Sequence, residues 1–140
     1  MSNRDLRFFI FDAYIAIVKI EKVASEFDEP TELLHDFRSW DSVIREFEIL
    51  GEASKHLLLK NLLDPQYRKI VDFRNHINHA YFGIDEDQVW HIIQHDLQDF
   101  KSVINTLIDD MNAESKEELV QAFSEDYKYL DFVLELLHKL

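Results

Sequence analysis

Two glycines and two prolines in 140 residues leave this chain almost without turn chemistry. Strand-rich folds draw on those residues at nearly every hairpin, so their scarcity selects a few long helices. Hydrophobic residues make up 46% of the chain and eleven are Phe, enough bulk for one sizeable core at this length. The expected fold is all-α, an antiparallel bundle of four to five helices. It is expected to be a single domain over residues 1–140, its last helix over about 115–138.

Hydrophobic spacing places the helices. Ser2 or Asn3 is expected to cap a first helix running to about residue 27, where Leu6, Ile10, Tyr14 and Ile17 form one apolar stripe. Phe9, Ala13, Ile20 and Phe27 form a second, so this helix should touch more than one neighbour. Residues 31–37 read as a short helix or as the first turns of the next. A second long helix covers about residues 40–60, with Val43, Phe47, Leu50, Leu57 and Leu58 facing inward and Gly51 in its interior. A mid-helix Gly costs about 1 kcal/mol against Ala, which points to a close backbone approach there. Asp64 followed by Pro65 predicts the start of a third helix, ending near residue 82 with Gly83 as its C-terminal cap. Asp85 should cap a fourth carrying Val89, Ile92, Ile93, Phe100, Val103, Ile104 and Leu107, and a Ser115–Glu118 capping box should open the fifth.

Whole classes of chemistry are excluded. With no Cys there is no disulfide framework, zinc ribbon, thiol nucleophile or iron–sulfur cluster. The two isolated glycines build no phosphate-cradling loop, and no Gly-x-Ser-x-Gly elbow occurs. A carboxylate-bridged di-iron bundle needs two Glu-x-x-His pairs, and only Glu32–His35 fits. His91 with His95, and His76 with His79, have spacings that can put two imidazoles on one helix face, but no metalloenzyme signature accompanies them. No metal and no cofactor are expected. Residues 8–18, the longest apolar stretch, are interrupted by Asp12 and too short to span a bilayer. No cleavable leader pattern follows Met1, so a cytoplasmic protein without a membrane segment is expected.

The net charge of −13 opposes phosphate backbones. Acid concentrates in residues 85–110 and 114–131, whereas Arg68, Lys69, Arg74, His76 and His79 gather elsewhere. Any RNA contact must therefore be local or shared between subunits. The acidic surface also suits a basic protein partner.

One segment collects unusual side chains. Arg74, Asn75, His76, Asn78, His79 and Tyr81 put six polar or ionisable groups into eight positions of a helix that must pack. A merely solvated face would use Lys and Glu, which are better helix formers. Asn75, Asn78 and His79 share one face; Arg74, Asn78 and Tyr81 share an overlapping one. Arg74 and His79 stand about 140° apart around the helix and about 7.5 Å apart along it. One chain cannot easily close both around a single phosphate, but two copies about a twofold could. A neutral His would take the proton of a ribose 2′-hydroxyl, or a charged one would donate to the leaving oxygen, while Arg neutralises charge growing on the phosphoryl oxygens. Near a helix C-terminus, the dipole favours the protonated imidazole of His79.

Gly51–Glu52–Ala53, Pro65, Arg74–Asn75, His79, Tyr81, Phe82–Gly83–Ile84–Asp85 and Val89–Trp90 together closely resemble the HepT-like branch of the HEPN superfamily, over about residues 4–110. The resemblance implies a small helical homodimer, or a higher even oligomer, whose facing Arg-x4-His motifs cut RNA without a metal. Carried over, Arg74 and His79 are the catalytic pair and Asn75 the polar residue beside the Arg. Such toxins are commonly paired with a minimal nucleotidyltransferase antitoxin that transfers AMP to a motif Tyr, here Tyr81. Asn78 lies at a variable motif position. Gly51 and Glu52 belong near the site on the resemblance, or are helix packing with a solvated Glu on composition alone. Trp40, Trp90 and Phe100 read as core or dimer contacts. The alternative function is a non-catalytic HEPN subunit that holds substrate or partner for a nucleotidyltransferase.

Overall fold

The computed structural model describes residues 5–79 and 83–140, the side chain of His79 apart, and among them every regular element is helical. In chain order these are α1 (Leu6–Ala24), α2 (Pro30–His35), α3 (Phe37–Leu59), a 3-10 turn (Pro65–Tyr67), α4 (Arg68–His79), α5 (Glu86–His91), a π turn (Ile92–Asp96), α6 (Leu97–Asp109), α7 (Ala113–Asp126) and α8 (Asp131–His138).

The expected pair of stripes puts α1 at the centre. From Phe9 to Val18 only Asp12 is not buried, and the helix packs on α3 most extensively, then on α6, α7 and α8. Val43, Phe47, Leu50 and Leu57 carry the buried face of α3, and Phe47 meets Phe73 of α4 edge-on with ring centroids 5.2 Å apart. Phe100 is fully buried, meeting Tyr67 in the same geometry at 5.2 Å, so it is core; Trp40 and Trp90 pack half-buried against that core.

Several boundaries differ from those the sequence predicts. Asp5, not Ser2 or Asn3, caps α1, its carboxylate accepting from the Arg7 N–H at 2.9 Å; residues 2 and 3 lie outside the described residues. The helix stops at Ala24, and α2 is a separate helix whose Glu32 carboxylate accepts from the N–H groups of Asp28 and Glu29 at 3.0 Å. That use as a cap accounts for the Glu of the half-built di-iron pair. α3 opens at Phe37 because Asp36 accepts from the Ser39 N–H. Asp64 makes no side-chain cap; Pro65 instead starts a tight 3-10 turn that leads into α4. The end of the third helix, and the proposed role of Gly83 there, fall against residues 80–82, outside the described residues.

The expected fourth helix is continuous but carries a π turn. The π turn spans Ile92–Asp96, between the buried Val89 and Leu97, and its wider ring is closed by the Leu97 N–H donating to the Ile92 carbonyl. The expected fifth helix is two. Asn112, not Ser115, caps α7 by accepting from the Ser115 N–H at 2.8 Å, and the Ser115 hydroxyl accepts from Arg7 of α1. The chain then turns at residues 127–130 into α8, where Val133 and Leu137 are buried and Leu130 is exposed. Phe123 seals the pair onto α1, its ring 5.2 Å from that of Phe11 and 5.8 Å from that of Phe8. Among the described residues no helix is long and apolar enough to cross a membrane.

Candidate active site around Arg74

Ile70, Phe73 and Ile77 form the buried stripe of α4. Arg74 follows Phe73 and so lies at the edge of that stripe, half-buried, while Asn75, His76 and Asn78 remain exposed. The polar segment is thus a solvent-facing surface on a helix whose other side is core.

The guanidinium is held from α3. A carboxylate oxygen of Glu52 lies 3.0 Å from Nη2 of Arg74, and Nη1 donates to Oδ1 of Asn75 at 3.3 Å. Glu52 also meets Nε2 of His56, one turn along α3, at 3.3 Å. The His56 ring stacks on Phe9 of α1, with centroids 4.1 Å apart and planes 11° from parallel. A line of contacts therefore runs from the α1 core through His56 and Glu52 to Arg74. His56 escapes a motif-based reading; its signal in the sequence is its position four residues after Glu52.

Gly51 makes the arrangement possible. A Cβ at this position would overlap Cβ and Cγ of Arg74 and lie 3.4 Å from the carbonyl oxygen of Ile70. The close approach expected from a mid-helix Gly is real, but the arriving group is chiefly the Arg74 stem, not backbone. Of the two readings of Gly51 and Glu52, packing and site proximity are one fact: the glycine lets Arg74 lie on α3, and the glutamate grips its head. Arg74 and Glu52 open on a cleft of ≈ 270 Å³ that Phe9, Asp12, Arg45 and Glu48 also line.

His79 ends α4 as described, but its side chain lies outside the described residues, as does the whole of Tyr81. The expected pairing of Arg74 with His79, and the role expected of Tyr81, concern atoms outside that set.

Three histidines of the metal reading line or adjoin a cleft other than the one at Arg74. His76 and His91 line a cleft of ≈ 570 Å³ between α4 and the α5–π segment, which an ion pair from Lys69 to Asp96 (2.9 Å) crosses. His95 tilts against His91 with ring centroids 4.5 Å apart. Among the described residues these imidazoles gather no third ligand; the group with metal-ligand spacing is Asp85, Glu86 and Asp87, an acidic helix start.

Residues 14–107 match the family model described as "Ribonuclease HepT-like". The chain belongs to the HepT-like ribonuclease family. The matched span takes in Gly51, Glu52, His56 and the whole Arg74 segment and stops before α7, so α7 and α8 lie outside the match. The enzyme class that comes with the family is ribonuclease. Among curated proteins, the chain is similar to "Probable ribonuclease HepT" of Thermococcus cleftensis, 32% identical over 76% of this chain and 96% of that protein. It is also similar to "Putative RNase MJ1380" of Methanocaldococcus jannaschii, 28% identical over 74% of this chain and 97% of that protein. No solved structure matches it.

Proposed function

We propose that this HepT-like protein is the RNA-cleaving toxin of a toxin–antitoxin pair, working as a homodimer. Two copies pair about a twofold that brings their α4 helices together, and Arg74 and His79 of both face one cleft. The observation that carries this is the preparation of Arg74: a stem seated on a glycine, a head gripped by Glu52 and Asn75, and a cleft in front of it. An Arg that only solvated a helix would need none of these.

The chemistry is a transesterification. A neutral His79 takes the proton of a ribose 2′-hydroxyl, and that oxygen attacks the adjacent phosphorus. The bond from phosphorus to the 5′-oxygen breaks, and the partner copy's protonated imidazole returns a proton to the leaving oxygen. The products are a 2′,3′-cyclic phosphate and a 5′-hydroxyl, with no net proton change. Arg74 balances the charge that grows on the non-bridging oxygens. Neither role calls for a metal. Silencing follows by AMP transfer from ATP to the Tyr81 hydroxyl by a minimal nucleotidyltransferase, with release of pyrophosphate. By spacing, Tyr81 falls in the helical register of Arg74, so the added phosphate would compete with RNA for the guanidinium.

The test is expression in a host, with His79→Ala and Arg74→Ala beside the wild type. Growth arrest should vanish in the His variant, and purified Arg74→Ala should cut RNA about 10²–10³-fold more slowly. A His79→Ala protein that arrests growth as the wild type does removes that imidazole from the mechanism. A second reading, the non-catalytic subunit of a nucleotidyltransferase, draws support from the net charge of −13 and from Glu52 already occupying one edge of Arg74. It predicts tight association with the transferase and no cleavage of any RNA offered.

A further inference from the structure

The net acidity that opposes RNA binding is relieved at a cleft beside the candidate active site. On the flank of Asn75, α3 and α4 bound a cleft of ≈ 230 Å³ walled by Lys55, Leu58, Leu59, Arg68, Val71 and Asn75. No carboxylate lines it. Lys55 and Arg68 are exposed, and among the described residues neither stands within ion-pair distance of an Asp or Glu. Lys19, Lys69, Lys101, Lys116 and Lys128 each have such a partner. Among the described residues Lys22, Arg38, Arg45, Lys60 and Lys139 also lack one; what sets Lys55 and Arg68 apart is that they share a cleft whose lining holds no carboxylate. Asn75 joins this cleft to the candidate active site, because the same side chain accepts from Arg74. Leu58 and Val71 also line the cleft, and Leu59 beside them is 67% exposed, apolar surface that a ribose or base can cover.

We propose that Lys55 and Arg68 bind the backbone phosphates of single-stranded RNA next to the one at Arg74. This rests on the ribonuclease reading above, in which Arg74 marks the scissile phosphate. A twofold pairing through α4 would bring both copies' cations toward one seam, where their mutual repulsion is relieved by a polyanion.

The experiment measures binding of a short single-stranded oligoribonucleotide against salt concentration, using His79→Ala protein so that the probe survives. Into it are placed Lys55→Gln, Arg68→Gln, both together, and Lys128→Gln as a remote control. Each of the first two should lower the log–log salt slope by about 0.7, the value of one single-strand phosphate contact. The double variant should then bind roughly 25-fold more weakly at about 0.1 M salt, which is that slope loss carried from 1 M. Lys128→Gln should not move the slope, and Lys55→Arg should keep it. In protein with His79 intact, the loss should fall on KM for RNA and not on kcat. A double variant with the wild-type slope, in a protein that does cleave RNA, overturns the proposal and leaves the ribonuclease reading standing. The same holds if the double variant keeps the slope but loses a protein partner, since the cleft then docks protein. If the His79→Ala protein binds no RNA and the wild type cleaves none, the reading on which the proposal rests falls with it.

Discussion

Gly51 and Arg74 occupy one space, and that shared space makes a testable point about single residues. Adding one methyl at position 51 must push α4 from α3 or swing the arginine stem aside. Gly51→Ala should cost about 1–3 kcal/mol of stability, although Ala is the better helix former. Ribonuclease activity should fall further than that loss explains when measured where both proteins are folded. Urea midpoints and initial cleavage rates on the same preparations check this, and an Ala variant as stable and active as the wild type would refute it. The sequence signals a close approach at Gly51 through its misplaced helix breaker. What approaches, and that Glu52 and His56 then line up behind it, depends on how α3 and α4 are laid together.

Among the elements, the π turn and the break between α7 and α8 are not announced by periodicity. Windows across the π turn read as ordinary helix, because the buried Val89, Ile92, Ile93, Leu97 and Phe100 fall at the three- and four-residue spacings of an α-helix. Because the wider turn is local, removing its extra residue should heal the helix. Deleting the exposed Gln94 should lower the melting temperature far less than deleting Ser102, which lies in regular α6 and whose loss turns every later side chain by about 100°. Thermal melts of the two deletions decide it; equal damage would mean the π turn itself is needed. The division of residues 113–138 into α7 and α8 is likewise not legible in periodicity: Leu119, Phe123, Val133 and Leu137 all reach the core, and on one uninterrupted helix they would share a face as well.

At the scale of the whole molecule, charge and burial meet at Glu46. It is buried on α3, 3.9 Å from Lys19 of α1, whose ammonium also lies 4.7 Å from the Tyr127 ring centroid beyond α7. Burial pushes its carboxyl above the usual carboxylate range, and the nearby Lys19 and Arg45 only partly offset that. The folded state therefore holds this proton more tightly than the unfolded chain. The resulting stability is fully present below the ordinary carboxylate value and is lost as pH rises through the raised one. Glu46→Gln, which carries no charge to desolvate, should melt higher than wild type near neutral pH, and the gap should close in acid. Melting curves across that range test the sign; a variant less stable at neutral pH would show that the link to Lys19 outweighs the burial.

Local regularity settled much of this protein. The lack of Gly and Pro made it helical, apolar spacing put α1 at the centre, and the run from Arg74 to Asp85 carried the family resemblance. Those features are written in short stretches of chain and survive whatever the rest does. Other features needed the helices to be laid against one another. They include the seat of Arg74 on Gly51, its grip by Glu52, the stacking of His56 on Phe9, and the pairing of Lys55 with Arg68 around a carboxylate-free cleft. Each of these joins residues on different helices, and no periodicity within one helix states its distance or angle to the next. That relation is fixed only by packing.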